Sequence, residues 1–185
     1  NPTGNCLTTE TMKKIGDIAE KYDLIVISDE IYTCFSFQHE FVPFASLPGM
    51  AKRTITINSF SKNFVMTGWR IGNVIAPDYI ISTIQQINEN VVFTAPSISQ
   101  RAAIYALEHR KTVQPPITEE FKRRVEYCAE RINKIPKMHV LTPPKGSFYL
   151  FVNIKDTGLT SVECADLIMK EAHVLMLPGN AFGNC

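Results

Sequence analysis

The chain has 185 residues, of which 45% are hydrophobic and 20% are charged, an ordinary globular composition. Its 19 basic and 18 acidic side chains leave a formal net charge of +1. This balance gives no electrostatic reason to expect nucleic acid or an anionic membrane as a partner. No apolar run approaches the roughly 20 residues that a membrane span requires.

The cysteines and histidines are scattered along the chain. The cysteines form no C-x-x-C pair, and no histidine has ligand spacing to a cysteine or to another histidine. We therefore expect reduced thiols in a cytoplasmic protein, with no disulfide and no metal site. The positions are Cys6, Cys34, Cys128, Cys164 and Cys185, and His39, His109, His139 and His173.

The first half of the chain combines one helical stripe with three strand patterns. The first strand pattern is a continuous apolar run, typical of a strand buried on both faces in a parallel sheet. In such an α/β layer, ligands bind at the carboxyl ends of the strands, where Asp29 and Ser59 follow directly. The elements are a helix at 9–22 and strands at 24–27, 54–58 and 71–76.

The second half predicts more helix and shorter strands. Pro115 and Pro116 mark a boundary, and we place a domain change beside them. Residues 1–112 then form one domain and residues 113–185 a smaller, incomplete α+β domain. Thr160 and Glu163 fit a capping box that opens a helix. The helices are expected at 80–91, 97–110, 117–135 and 160–171, and the strands at 140–141, 147–154 and 174–177.

Four short motifs concentrate the chemically active side chains. They are NPTG at 1–4, SDEIY at 28–32, SFSK at 59–62 and TGWRIG at 67–72. Together they supply an amine, a carboxylate, a phenol, and a hydroxyl-plus-guanidinium cradle, the groups that pyridoxal phosphate (PLP) requires. Taken singly, each has an ordinary structural explanation, such as a solvated lysine, a turn or a salt bridge.

In order and spacing, these motifs resemble those of the class I/II (fold-type I) PLP-dependent aminotransferases. Three further segments support the resemblance over essentially the whole chain: SLPGM at 46–50, KGSFY at 145–149 and LPGNAFG at 177–183. It implies an α/β fold. Residues 1–112 would be part of the large PLP-dependent transferase domain, a mostly parallel sheet with helices, and residues 113–185 the small domain. It also implies a homodimer with its active site at the subunit interface.

The resemblance implies three catalytic residues. Lys62 would be the Schiff-base lysine, which later moves a proton from the substrate α-carbon. Asp29 would be the partner of the ring nitrogen and would keep it protonated. Tyr32, paired with Asn1, would hydrogen-bond the phenolic oxygen of the ring.

The resemblance also implies a phosphate site. Arg70 and Ser59 would bind the phosphate, because a planar guanidinium matches a phosphate with two parallel hydrogen bonds. Ser61 is a further candidate for the same role. The complete set of expected cofactor contacts is Asn1, Asp29, Tyr32, Ser59, Ser61, Lys62 and Arg70.

The chain departs from the family pattern at both ends. It begins inside the first motif and stops before the arginine that, in the family, binds the substrate carboxylate. We therefore expect the C-terminal part of a longer protein, lacking the N-terminal half and the extreme C-terminus. Alone, it should be inactive, with apolar surface exposed where the remainder packs.

The activity that the resemblance implies is the transfer of an amino group between an amino acid and a 2-oxo acid. Two alternatives stay open. A PLP-dependent C–S β-lyase uses the same lysine and carboxylate but eliminates at the β-carbon. A non-catalytic, aminotransferase-like regulatory domain would bind the cofactor as a sensor.

Overall fold

The structure is a computed structural model that describes residues 2–140 and 144–183. The chain divides into two compact units. One is Cys6–Glu120, and the other joins Asn1–Asn5 to Phe121–Cys185. The domain boundary expected after residue 112 stays a prediction.

A three-stranded sheet organises the unit Cys6–Glu120. Its strands, in the order β1-β2-β3, are β1 (Val26–Asp29), β2 (Thr54–Ser59) and β3 (Gly72–Ile75). β1 pairs with β2 in parallel and β3 pairs with β2 in antiparallel. The three predicted strands are thus confirmed with slightly shifted bounds, and the direction of β3 is new information from the structure.

The expected burial of the first strand on both faces is wrong for the described chain. Ile25 is 54% exposed and Ile27 is 67% exposed. Among the described residues, β1 pairs with another strand, β2, along one edge. On the exposed face of β1, no other described element covers the side chains. Ile75 (60% exposed) and Phe93 (82% exposed) are further exposed apolar side chains. Exposed apolar surface was expected from the sequence.

Helix α1 (Thr9–Lys21) begins where predicted. The side chain of Thr8 caps it by accepting a hydrogen bond from the Thr11 backbone N–H at 3.2 Å. Its apolar stripe buries Met12 and Ala19 against the segment that follows β1. The remaining members of this core cluster are Phe44, Leu47 and Met50.

Of the next four helices along the chain, the first was not predicted, and the other three were predicted with different bounds. They are α2 (Phe60–Asn63), α3 (Asp78–Val91), α4 (Ser97–Glu108) and α5 (Arg110–Ile132). A second core cluster contains Phe60 and Met66 together with Ala103 and Ala106 of α4. It therefore ties α4 to the segment that follows β2.

The break expected at Pro115 and Pro116 is wrong, because α5 runs through both residues. Each proline removes one backbone N–H from the helix, which weakens the helix but does not oblige it to end. Hydrogen bonding is already established upstream, where the Val113 N–H donates to the His109 carbonyl at 3.0 Å.

The unit that contains Phe121–Cys185 has little regular strand. β4 (His139–Val140) pairs in antiparallel with β5 (Val152–Asn153), so the strand expected over 147–154 is much shorter. Leu141 lies outside the described residues. The strand expected at 174–177 is wrong, since residues 173–178 form neither helix nor strand. A four-residue apolar run becomes a strand only when another strand pairs with it.

Helix α6 (Ser161–Ala172) opens with the predicted capping box, which is confirmed. The Thr160 side chain accepts from the Glu163 backbone N–H at 3.3 Å, and the Glu163 carboxylate accepts from the Thr160 N–H at 2.9 Å. The Thr160 N–H and the Thr160 hydroxyl both donate to the Glu163 carboxylate and lower the pKa of Glu163, because they favour its charged form. Within residues 2–140 and 144–183, no helix is both long enough and apolar enough to cross a membrane.

Candidate active site

The sheet brings three of the predicted site segments to one edge. Asp29 ends β1 and lies opposite Ile57 of the parallel strand β2. The pairing extends one residue further, where the Glu30 N–H donates to the Ile57 carbonyl at 2.8 Å. Ser59 ends β2 and lies opposite Gly72, the first residue of β3. Asp29, Ser59 and the segment before Gly72 therefore share the edge formed by the carboxyl ends of β1 and β2.

Ser59 joins β2 to the short helix that carries Lys62. Its backbone is extended, and its hydroxyl accepts a hydrogen bond from the Ser61 N–H at 3.1 Å. A serine in this position ends a strand and caps the following helix at the same time. Ser61 and Lys62 then lie in the first turn of α2, and both are half-buried.

Gly72 allows β3 to approach the end of β2 closely. A Cβ atom at this position would lie 2.7 Å from the Asn58 carbonyl oxygen, closer than real Cβ atoms come. Any other residue would push the strands apart and displace the segment before Gly72. The second glycine of the TGWRIG motif thus has a packing role, two residues after Arg70.

The segment between α2 and β3 is held in unusual backbone conformations. Val65 and Arg70 have φ angles of 54° and 50°. Positive φ is a genuine outlier for a β-branched residue, and the left-handed region costs an L-residue about 1–2 kcal/mol. Such strain persists only where the surrounding structure imposes it, and it concentrates at functional sites.

Buried contacts hold this segment in place. The Met66 N–H donates to the Phe60 carbonyl at 3.3 Å, and both side chains are buried in the second core cluster. The Ser99 hydroxyl of α4 donates to the Trp69 carbonyl at 2.8 Å. Arg70 itself is exposed, and one of its guanidinium nitrogens donates to the Thr67 carbonyl at 2.9 Å. The chain thus presents the Arg70 guanidinium at the surface from a firmly held backbone.

Asp29 is the last residue of β1, and the loop that follows carries Tyr32. The exposed Asp29 carboxylate accepts from the Ile31 N–H at 3.3 Å, which is a turn within the loop. Tyr32 is half-buried and packs its ring edge-on to Phe35, with 6.4 Å between ring centroids. Phe35 is fully buried, so it anchors the loop three residues after Tyr32.

Glu30 was not selected from the sequence, yet it fixes this loop. Its side chain is buried, and Oε1 accepts from the Ser28 hydroxyl at 3.0 Å and from the Phe44 N–H at 2.9 Å. A carboxylate beside Asp29 at a strand end was visible in the sequence, but its inward orientation was not. Glu30 thereby joins the end of β1 to the short 3₁₀ helix Phe44–Ser46.

Asn1 lies outside the described residues, so its expected contact stays a prediction. The rest of its motif is described within its own unit. Gly4 has a φ of 73°, and its carbonyl accepts from the Lys145 N–H at 2.8 Å and from the Gly146 N–H at 3.0 Å. The NPTG and KGSFY motifs therefore contact each other.

The residues at this edge of the sheet and in the segments directly next to it carry an amine, a guanidinium, hydroxyl groups and a carboxylate. Cationic and hydroxyl donors suit a phosphate, a carboxylate suits a protonated ring nitrogen, and an amine suits an aldehyde. Among residues 2–140 and 144–183, no group of three or more His, Cys, Asp and Glu side chains could hold a metal ion. The chemistry of the edge thus favours an organic anionic ligand.

Comparison with known proteins identifies the family. The sequence profile of aminotransferase class I and II matches residues 1–184, so the chain belongs to this family. An aspartate aminotransferase from Pyrococcus abyssi is 42% identical over 186 residues, which cover 99% of this chain and 47% of that protein. An aromatic-amino-acid aminotransferase from Thermococcus litoralis is 40% identical with the same coverage. The chain spans about half the length of the curated relatives it matches.

Solved structures agree with this assignment and with the predicted α/β fold. The aromatic aminotransferase from Pyrococcus horikoshii OT3 superimposes with a TM-score of 0.94 at 41% identity, over 100% of this chain and 50% of that chain. A PLP-bound protein from Clostridium difficile 630 superimposes with a TM-score of 0.90 at 26% identity, over 99% of this chain and 48% of that chain.

We predict that Glu30→Ala destabilises the full-length protein by about 1.5–3 kcal/mol, because it removes a buried charged acceptor from two hydrogen bonds. Glu30→Gln keeps an acceptor oxygen and should cost less. Urea unfolding measures both free energies. Glu40→Ala, at an exposed position, is the control. A loss for Glu30→Ala no larger than that control would show that the buried carboxylate does not anchor the loop.

Proposed function

We propose that the whole protein is a PLP-dependent aminotransferase, which transfers an amino group between an amino acid and a 2-oxo acid. The observation that carries this proposal is the parallel pairing of β1 with β2, which brings the Asp29 end of one strand beside the strand that leads into Lys62. Family membership over residues 1–184 supports the same function.

The residues at the edge fit PLP as a set. Arg70, Ser59 and Ser61 would hold its phosphate, since a guanidinium and hydroxyls donate hydrogen bonds to phosphate oxygens. Asp29 would contact the ring nitrogen, and Tyr32, together with Asn1, the ring oxygen. When bound, PLP supplies an aldehyde that reacts with amines and a ring that withdraws electrons from the substrate α-carbon.

The protein groups then have separate tasks. Lys62 would hold the cofactor through Nζ and, once the substrate amine replaces it, would move a proton from the substrate α-carbon. The Asp29 carboxylate would keep the proton on the ring nitrogen, because a nearby negative charge favours the protonated form. The Tyr32 phenol would donate to the ring oxygen and stabilise its negative charge.

The named relatives differ in substrate, as aspartate and aromatic aminotransferases. We propose an amino acid and a 2-oxo acid as the substrate pair and leave the side-chain class to experiment. We also propose a cytoplasmic homodimer with its active sites at the subunit interface.

Requirement for an acceptor tests the proposed activity. Purified full-length protein with PLP receives aspartate, phenylalanine or an S-alkyl cysteine, each with and without 2-oxoglutarate. An aminotransferase should form glutamate, and only when the 2-oxo acid is present. Lys62→Ala should abolish the reaction, and Lys52→Ala, at an exposed position, should leave it unchanged. Ammonia and pyruvate from the S-alkyl cysteine alone would instead indicate a β-lyase, and PLP binding without turnover would indicate a sensor.

We predict that Asp29→Asn leaves PLP binding measurable and lowers kcat by roughly 10²- to 10³-fold, because a preorganised charge at the reacting ring is lost. Steady-state kinetics measure kcat, and titration of the cofactor-free protein with PLP measures affinity. Asp17→Asn, at an exposed position on α1, should retain wild-type kcat. Turnover within a few-fold of wild type in Asp29→Asn would rule out the proposed role.

A further inference from the structure

Asn63 directly follows Lys62, and its side chain is buried, with 6% of the residue exposed. Both polar atoms of its side-chain amide make hydrogen bonds. Nδ2 donates to the Thr33 hydroxyl at 2.7 Å, and Oδ1 accepts from the Cys34 backbone N–H at 3.3 Å. A backbone N–H can only donate, so the oxygen must face Cys34 and the amide orientation is fixed.

The partners of Asn63 belong to the other loop of the site. Thr33 and Cys34 open the 3₁₀ helix Thr33–Phe35, and Tyr32 is the residue directly before it. The Asn63 amide therefore joins the residue after Lys62 to the two residues after Tyr32. One side chain spans the segments that carry the proposed amine and the proposed phenol.

Further contacts secure the Cys34 end of this link. The Thr118 hydroxyl of α5 donates to the Cys34 carbonyl at 3.0 Å. The Cys34 thiol donates weakly to the Asn63 carbonyl at 3.9 Å. Burial raises the pKa of this thiol to about 11, so it keeps its proton and remains a donor at neutral pH.

We propose that Asn63 is a positioning residue, which fixes the Tyr32 phenol relative to the Lys62 amine by acting through Thr33 and Cys34. This inference rests on the proposed function. Its physical basis is that loss of the amide leaves two polar partners in a poorly hydrated place without their bonds. The loop would then shift, and small displacements of catalytic groups reduce rates strongly.

The expected direction of the change in the pH midpoint of bound PLP follows from the hydrogen bond of Tyr32. A phenol that donates to the ring oxygen stabilises the deprotonated, negatively charged form of the bound cofactor. Tyr32→Phe removes this bond and should raise the pH midpoint of the visible absorbance of the PLP-loaded protein. If Asn63 positions Tyr32, then Asn63→Ala should raise the same midpoint.

The test uses full-length, PLP-loaded protein in a double-mutant cycle of Asn63→Ala with Tyr32→Phe. We expect Asn63→Ala to raise the midpoint and to lower kcat by roughly 10- to 100-fold. In the Tyr32→Phe background, Asn63→Ala should not raise the midpoint further, because the Tyr32 hydroxyl that Asn63 positions is already absent. Thr33→Val removes one of the two bonds at a more exposed position and should produce a smaller shift in the same direction.

Two further measurements separate positioning from general destabilisation. Asn133→Ala removes a similar bond in the other unit, which the Val140 N–H donates to the Asn133 side-chain oxygen, and should leave the midpoint unchanged. Hydrogen exchange of the Cys34 amide in cofactor-free protein should accelerate in Asn63→Ala but not in Asn133→Ala. If Asn63→Ala fails to fold, Thr33→Val carries the same comparison.

The outcomes distinguish the inference from the function on which it rests. An unchanged midpoint in Asn63→Ala or, if only Thr33→Val folds, in that variant overturns the positioning role while the function stands. If Asn63→Ala raises the pH midpoint equally in the wild-type and the Tyr32→Phe background, the positioning role is also overturned. If the wild-type protein binds no PLP, the proposed function fails first and the inference fails with it.

Discussion

The parallel pairing of β1 with β2 is the constraint on which the candidate site depends. Its register sets Asp29 opposite Ile57, and the Glu30 N–H extends the pairing by one hydrogen bond. A slip of one residue would turn each side chain of a strand to the opposite face, and Asp29 would leave the edge shared with Ser59. The fixed register therefore brings the motifs at 28–32 and 59–62, which are distant in the sequence, next to each other.

The candidate site residues lie at strand ends, in loops and in the short helix α2, and buried groups behind them hold these segments in place. Glu30 holds the loop after β1, and Gly72 admits β3 close to β2. Ser99 bonds the Trp69 carbonyl beside Arg70, whose backbone is strained. Asn63 links the loop of Tyr32 to the helix of Lys62. A rigid scaffold that positions functional loops in this way is the usual arrangement in enzymes.

The sequence predicted the periodic elements well, because their patterns are local. Helix α1, the strands β1 to β3 and the capping box of α6 follow from spacing and residue type. The predictions from sequence were wrong where contacts with distant residues determine the secondary structure. The helix through Pro115 and Pro116 persists although proline weakens it, and the apolar run at 174–177 lacks strand pairing. Glu30 bonds Phe44, and Asn63 bonds Thr33 and Cys34; these partners are 14 to 30 residues away in the chain, and no local pattern reveals them.

Covalent trapping of the cofactor tests the central claim, that this edge of the sheet holds PLP through Lys62. Full-length protein loaded with PLP is reduced with borohydride, digested and mapped by mass spectrometry. We expect a single pyridoxyl label, on Lys62. A label on any other lysine, or none in protein that has bound PLP, would contradict it.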